Sequence, residues 1–521
     1  MPHPRRPHRA SRRAGRRVGR GLLAGTTVAA LVAVAGCSVF EDEGPEPTSI
    51  ASGEAAIPEG AEEIYDQQLS WSDCDGEQCA ELTVPVDWDE PDGETIEVAL
   101  LKAEATGDAI GSLVVNPGGP GGSGVDYARY ADYIVSPQVR RAYDVVGFDP
   151  RGVSRSAPVD CLSDGELDDF LGMDPTPDDE AERTAAQEAA ADLGEQCQAE
   201  TGELLGHVAT EDVARDMDVL RHVLGDRQLT YLGKSYGTYL GTVYAELFPE
   251  NVGRFVLDGA VAPDLTSAEQ TIGQATGFDR ATRAWAQACV EDGCELGESE
   301  QEVIDTMLAT LEGLDADPLP GAGGVELTEG WGTVGVAQAM YEQGLWSELN
   351  DALVAVQQGD GEPLGQLSLQ YARRNADGSY SSNIMEAIYA VNCLDHPEET
   401  GEDARQELIE RAEEEAPIWG RFMVGTSSVC GEWPIEPVSQ PREIAAEGAA
   451  PILVVGTTRD PATPYEWAER LDAQLADSAL LTLEGDGHTA YMRSNSCIDA
   501  AVDDYLLTGE LPAPDARTCS S

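Results

Sequence analysis

The chain is 521 residues long, with 32 Lys and Arg against 96 Asp and Glu and a formal net charge of −64 at pH 7. So acidic a surface repels phosphate backbones, which argues against nucleic acid as a partner. The same charge keeps the protein soluble, suits a salty or exported setting, and draws in cationic groups such as free amino termini.

Eight arginines and no acids lie between Met1 and Gly36, and the segment closes with the 15-residue apolar run LLAGTTVAALVAVAG at 22–36. A basic stretch followed by so short an apolar one is the pattern of an export signal, not of a membrane span. Its end, Val34-Ala35-Gly36-Cys37, resembles a bacterial lipobox. Residues 1–36 are therefore expected to be a cleaved lipoprotein signal peptide. Cys37 would be acylated, and the exported protein would be held at the extracellular face of the cell membrane by that lipid alone, with some of it released. The pairs Arg12-Arg13 and Arg16-Arg17 leave both the Sec and the Tat routes open. Residues 37–65, rich in Glu, Pro, Ser and Gly, read as a disordered tether.

From about residue 80 short apolar runs alternate with helical stretches. ELTVPVDW (81–88), TIEVALLKAEA (95–105), SLVVNPGG (112–119), YDVVGFDPRG (143–152), LTYLG (229–233) and RFVLDGA (254–260) read as strands. PILVVGTTRD (451–460) and ALLTLEGDGH (479–488) do so further on. Several are continuous apolar runs closed by Gly or Asp, as parallel strands buried on both faces are. Helical patterns lie at 211–225, 236–249 and 464–476, and such alternation predicts an α/β sheet. Between 266 and 440 the strand rhythm stops, and four long helical patterns replace it. A segment of that length is no loop. It reads as a helical lid (266–440) inserted between two parts of one core, 66–265 and 441–521.

Eleven cysteines are present, and setting Cys37 aside leaves an even ten in neighbouring pairs. In an oxidising location these favour disulfides over metal ligation. The expected pairs are Cys74–Cys79, Cys161–Cys197, Cys289–Cys294, Cys393–Cys430 and Cys497–Cys519. No metal site and no cofactor is expected.

The stretch LTYLGKSYGTYLG (229–241) holds Ser235 in a Gly-x-Ser-x-Gly turn between a strand and a helical pattern. That is the context of a nucleophile elbow. A serine hydroxyl needs a base. Beyond the leader only His207, His222, His396 and His488 are available, and His488, in the glycine-rich EGDGHTAY after the last apolar strand, is the strongest. Lys234 is the rival, but as the serine's neighbour in a tight turn its side chain should project away. The imidazole needs a carboxylate behind it. Asp460 closes one strand upstream of the histidine loop, and Asp258, closing RFVLDGA, is the alternative. Developing negative charge needs backbone N–H groups. Tyr236 after the nucleophile should supply one, and Gly118 or Gly119 in NPGGPGGSG (116–124) the other. That glycine loop lacks the Gly-Lys-Ser/Thr end of a phosphate-binding loop.

Together NPGGPGGSG, YDVVGFDPRGVSRSAPVDC, YLGKSYGTYLG, LFPENVGRFVLDGA, VVGTTRDPATPYEWA and GDGHTAY resemble the secreted actinobacterial tripeptidyl aminopeptidases. These are α/β-hydrolase serine peptidases related to proline iminopeptidase, with a characteristic C-terminal segment. The resemblance covers about residues 80–519. It implies an α/β-hydrolase core with a helical cap, release of short N-terminal peptides, commonly tripeptides, and the triad Ser235, Asp460 and His488, with Thr463 helping to hold the acid loop. Iminopeptidase relatives bind the substrate amine with carboxylates of the cap. No motif selects that pair here; Asp395, Glu398 and Glu399 are candidates. A carboxylesterase or lipase would use the same triad on an ester substrate, and a non-catalytic surface-binding protein of this fold is the reading from another class.

Overall fold

The computed structural model describes residues 60–398 and 401–520, together with Pro47, Thr48 and Ile57. The expected leader, Cys37, most of the expected tether and Glu399 lie outside the described residues; the end of the tether is not disordered, since Glu62–Tyr65 is a short helix whose buried Tyr65 donates to Asp218 at 2.9 Å. The apolar runs of the sequence become the centre of one ten-stranded sheet. Its strands are β1 (Ser72–Cys74), β2 (Glu77–Pro85), β3 (Thr95–Ala103), β4 (Gly111–Asn116), β5 (Tyr143–Phe148), β6 (Leu229–Lys234), β7 (Val252–Asp258), β8 (Ile452–Arg459), β9 (Ser478–Asp486) and β10 (Thr518–Ser520). In space they run β1-β2-β3-β5-β4-β6-β7-β8-β9-β10. The β1–β2, β2–β3 and β3–β5 pairs are antiparallel and the others parallel.

Both faces of the central strands are buried, which is why the sequence shows continuous runs and not alternation. Val114, Val146, Tyr231, Leu257 and Val454 pack on one face. Their neighbours Leu113, Val115, Val145, Leu232, Val256 and Val455 pack on the other. The strand order reverses direction beside β4, whose two neighbours are β5 and β6. At such a switch point the loops leaving the carboxyl ends diverge and open a crevice. The register Asn116↔Gly233 brings the glycine loop after β4 against the turn after β6.

Helices cover the sheet, among them α1 (Thr210–Val223) and α2 (Tyr236–Leu247). Beyond β7 the chain leaves for a helical layer with a core of its own, built on Trp285, Met307, Leu311, Trp331, Leu349 and Trp419. Its first helix, α3 (Ser267–Asp292), opens on a Thr266–Glu269 capping box, in which each side chain takes the other's backbone N–H. Further on come α4 (Glu329–Met340) and α5 (Ile384–Asp395). The sheet resumes at β8, followed by α6 (Tyr465–Gln474) and, after β9, α7 (Ser496–Thr508). The five expected cysteine pairs are joined as disulfides.

Two helical patterns of the insertion are interrupted. MYEQGLWSELNDALVAVQ is not one helix: α4 ends at Met340, and the next α-helix begins at Trp346. The second, at 404–423, stops at Glu415, with Ala416 at φ −134°. Pro417 sterically bars the residue before it from helical backbone. The 22-residue helix Glu180–Thr201, opened by a capping box of Asp179 with Glu182, has no counterpart among the helical patterns of the sequence.

The motif YDVVGFDPRGVSRSAPVDC anchors the insertion to the core. Asn383 accepts from Ser154 N at 2.9 Å and donates to Gly152 O and Val159 O at 2.9 and 2.8 Å. Glu386 accepts the N–H groups of Cys161 and Leu162 at 3.1 and 2.8 Å. Both side chains belong to the start of α5, which also lies over the glycine loop: a Cβ on Gly121 would stand 2.9 Å from Ala387 Cβ and 3.2 Å from Ile384 Cα.

Candidate active site

Ser235 sits between β6 and α2 at φ 55°, ψ −126°, a conformation that costs an L-residue on the order of 1–3 kcal/mol. The surroundings hold it there. Its N–H donates to Asp258 O at 3.0 Å, and its C=O accepts from Thr238 Oγ1 at 2.6 Å. A Cβ on Gly233 would lie 2.3 Å from Gly237 O, so the turn closes only without side chains there. This is the geometry of a nucleophile elbow, with the hydroxyl raised at a helix N-terminus.

His488 follows β9. Its Nδ1 lies 2.8 and 3.0 Å from the two carboxylate oxygens of Asp460. Asp460 is itself oriented by backbone donors: Ala462 N (3.0 Å) and Thr463 N (2.9 Å) on one oxygen, Thr489 N (3.2 Å) on the other. Thr463 Oγ1 stands 3.4 Å from Nδ1 as well. With Nδ1–H held by the carboxylate, Nε2 is the free acceptor, the tautomer a base needs. Among the described residues Ser235 makes no hydrogen bond with His488. Both border the Asp258–Gly259 peptide: Ser235 N bonds Asp258 O, and a Cβ on Gly259 would be 3.3 Å from His488 Cε1. Such contacts commonly tighten only with substrate in place.

On the other side of the serine lies the glycine loop. Gly118, at φ +92°, approaches so closely that a Cβ would be 2.4 Å from Lys234 O and 2.9 Å from Ser235 Cβ. Its N–H, however, donates to Asn116 Oδ1 at 2.8 Å. Of the two expected donors Gly118 is thus already engaged. Gly119 N–H and Tyr236 N–H have no acceptor among the described residues and remain for an oxyanion.

Residues 111–301 match the family described as alpha/beta hydrolase fold, and residues 416–519 the family described as TAP-like protein. The serine protease Hip1 of Mycobacterium tuberculosis is 39% identical over 88% of this chain and 92% of that protein. Carboxylesterase B of the same organism is 36% identical over 84% and 86%, and the tripeptidyl aminopeptidase of Streptomyces lividans 33% over 87% and 86%. The chain belongs to the TAP-like α/β-hydrolases. It is a serine hydrolase.

The remaining candidates in this TAP-like hydrolase lie elsewhere. His207 contributes its carbonyl to Arg151, at 3.0 Å. His222 packs edge-on to Tyr65, 5.3 Å between ring centroids. His396, beside Gln270 and Tyr239, is pushed down to about 4 by burial. Asp258, the alternative acid, does not meet His488; it accepts Ala490 N at 2.8 Å and Tyr491 N at 3.0 Å and faces Lys234 Nζ at 3.3 Å. Lys234 spends its ammonium on Asp258 and on the carbonyl of Tyr491, and burial lowers its pKa.

Asp395 is not presented to a substrate. It is 1% exposed and accepts Thr210 N at 2.9 Å and Thr210 Oγ1 at 2.5 Å. Burial pushes its carboxyl up to about 7. Thr210 Oγ1 also lies 2.5 Å from Tyr236 OH, so this acid supports the elbow from behind. Glu398 is half-buried, with burial raising it to about 7, and lines a cavity of about 650 Å³ with Arg405 and Arg411.

One contributor was invisible in the sequence. Tyr341, in the interrupted helical pattern, accepts the N–H of His488 on its carbonyl at 3.1 Å. Its ring stands edge-on to the imidazole, 5.4 Å between centroids, and Tyr371 follows 6.0 Å further on. No periodicity marks a backbone carbonyl that meets a loop about 150 residues later.

Proposed function

We propose that this hydrolase is a serine exopeptidase that releases short peptides, tripeptides among them, from free amino termini. The observation that carries its hydrolytic chemistry is the Asp460 carboxylate on Nδ1 of His488, which leaves Nε2 free to act as the base. Ser235 Oγ attacks the scissile carbonyl carbon as His488 Nε2 takes its proton. The oxyanion is received by the N–H groups of Tyr236 and Gly119. The tetrahedral adduct collapses, His488 passes the proton to the leaving amine, and the acyl-enzyme remains. Water, deprotonated by the same imidazole, then releases the acid and restores the serine.

The preference for free amino termini is supported by the similarity to the tripeptidyl aminopeptidase and by the acidity of the chain. The helices between β7 and β8 act as the lid that restricts access to chain ends. Export and acylation of Cys37 rest on the leader alone; replacing Cys37 by Ala should shift the protein from the membrane fraction to the medium. A carboxylesterase is the second reading, favoured by the relative of that name.

Fluorophosphonate labelling of the wild type, with Ser235→Ala as the unlabelled control, tests the nucleophile. Hydrolysis of free tripeptidyl amides far above N-acetylated ones supports the exopeptidase. Equal turnover of the two rejects it, and short acyl esters as the only substrates turned over would establish the esterase.

A further inference from the structure

Lys234 and Asp258 form a buried ion pair outside the triad, 3.3 Å apart, with side chains 7% and 0% exposed. Burying two charges is costly unless their remaining hydrogen-bonding capacity is met. Here one short stretch of backbone meets it. Asp258 takes the N–H groups of Ala490 and Tyr491, and Lys234 Nζ donates to the carbonyl of Tyr491 at 2.7 Å. Both the N–H and the C=O of Tyr491 are thereby held by one pair of side chains, three residues beyond His488. The Asp258 carbonyl meanwhile holds Ser235 N–H.

This stretch is one that would not keep its shape unaided. Thr489 and Met492 both stand at positive φ, 65° and 60°, and Thr489 is β-branched, for which that region is an outlier. Strained backbone of this kind persists only where its surroundings over-determine it. The far end of Tyr491 is pinned as well, its hydroxyl donating to Asp503 at 2.6 Å and accepting Ser136 N–H at 3.1 Å.

We propose that Lys234 and Asp258 are positioning residues: they clamp the strained segment 489–492 to the nucleophile elbow and so set the place of the His488 imidazole relative to Ser235. This rests on the reading of His488 as the base. A lysine suits the position because its ammonium is a compact charge with three donors at the end of a thin stem, able to serve a carboxylate and a carbonyl together. It also keeps the site electrically balanced. Facing Lys234 are Asp258, Asp499 and Arg493; facing the imidazole are Asp460, Thr463 and Tyr341.

The test compares Lys234→Met, Asp258→Asn and the double variant, each standardised to its folded fraction by thermal unfolding, because a displaced imidazole would also slow active-site labelling. A lost clamp lowers kcat about tenfold or more with KM within about twofold, since substrate contacts are untouched. Lys234→Met leaves an acid unbalanced near the base and should move the acid limb of the kcat profile to higher pH. Asp258→Asn leaves a cation and should move it lower, each by a few tenths to about one pH unit. Should Lys234→Met not fold, the double variant, which buries neither charge, decides: its kcat should stay low with the limb near its wild-type position. Per-site kcat within about threefold of wild type, whatever the change in Tm, overturns the proposal. An unlabelled wild type, or a His488→Ala enzyme of undiminished rate, would refute the triad instead.

Discussion

Replacing Asp460 by Asn removes one charge and almost no volume, so its effect can be worked from the bonds the carboxylate makes. One oxygen accepts Ala462 N and Thr463 N; the other accepts Thr489 N, and both face His488 Nδ1. An amide has only one acceptor oxygen. Turned toward Ala462 and Thr463, it sets its NH₂ against the N–H of Thr489 and against Nδ1–H. The imidazole must then move its proton to Nε2, where it can no longer accept one from the serine. The expected loss in kcat is about 10⁴-fold, the scale seen when a triad carboxylate is so replaced. Stability should fall by about 1–3 kcal/mol, because the Thr489 donor is left buried without an acceptor. Thermal unfolding beside steady-state hydrolysis of a tripeptidyl amide separates the two effects. A folded Asp460→Asn enzyme within tenfold of wild type would refute the assignment of Asp460.

Gly118→Ala places a methyl group 2.4 Å from Lys234 O at φ +92°. It should cost about 2–5 kcal/mol from strain and overpacking together, read as a lower Tm, with kcat reduced about 10²-fold as the glycine loop withdraws its donor. Arg151→Met should destabilise by about 3–5 kcal/mol in denaturant titration. The guanidinium makes two 2.7 Å bonds to buried Asp216 and reaches the carbonyls of Pro85, Val86 and His207, so its loss strands a buried charge. Asp395 makes stability depend on pH. Its carboxyl rises from 3.8 to about 7 on folding, so the native state holds its proton more tightly than the unfolded chain does. Its contribution, on the order of 4 kcal/mol, is complete below about pH 4 and lost as pH rises through 7. Asp395→Asn should flatten the decline in Tm between about pH 4 and 7, and an unchanged slope would contradict the assignment.

Much of the core was legible in the sequence because its signals are local. Continuous apolar runs closed by Gly or Asp located the parallel strands, and small residues around Ser235 announced a turn that admits no Cβ. Asn383 and Glu386 were not legible: each makes its bonds to backbone more than 200 residues away, in segments that show no sign of meeting. The break after Met340 was equally hidden, since apolar spacing continues across it, yet it delivers the Tyr341 carbonyl to His488.

What the sequence by itself determined was therefore the alternation of strands and helices, the elbow with its serine, and the order of serine, aspartate and histidine along the chain. Each follows from residue types and short-range sterics. Only the tertiary structure decided between Asp460 and Asp258 as partner of the imidazole, and between Gly118 and Gly119 as a free donor. These choices depend on which backbone groups already occupy a side chain or an amide, and that is settled when distant strands come into register. Lys234 is the plainest case: in sequence it stands beside the nucleophile, and in the fold its ammonium lies with Asp258 and the carbonyl of Tyr491, holding the far side of the histidine loop.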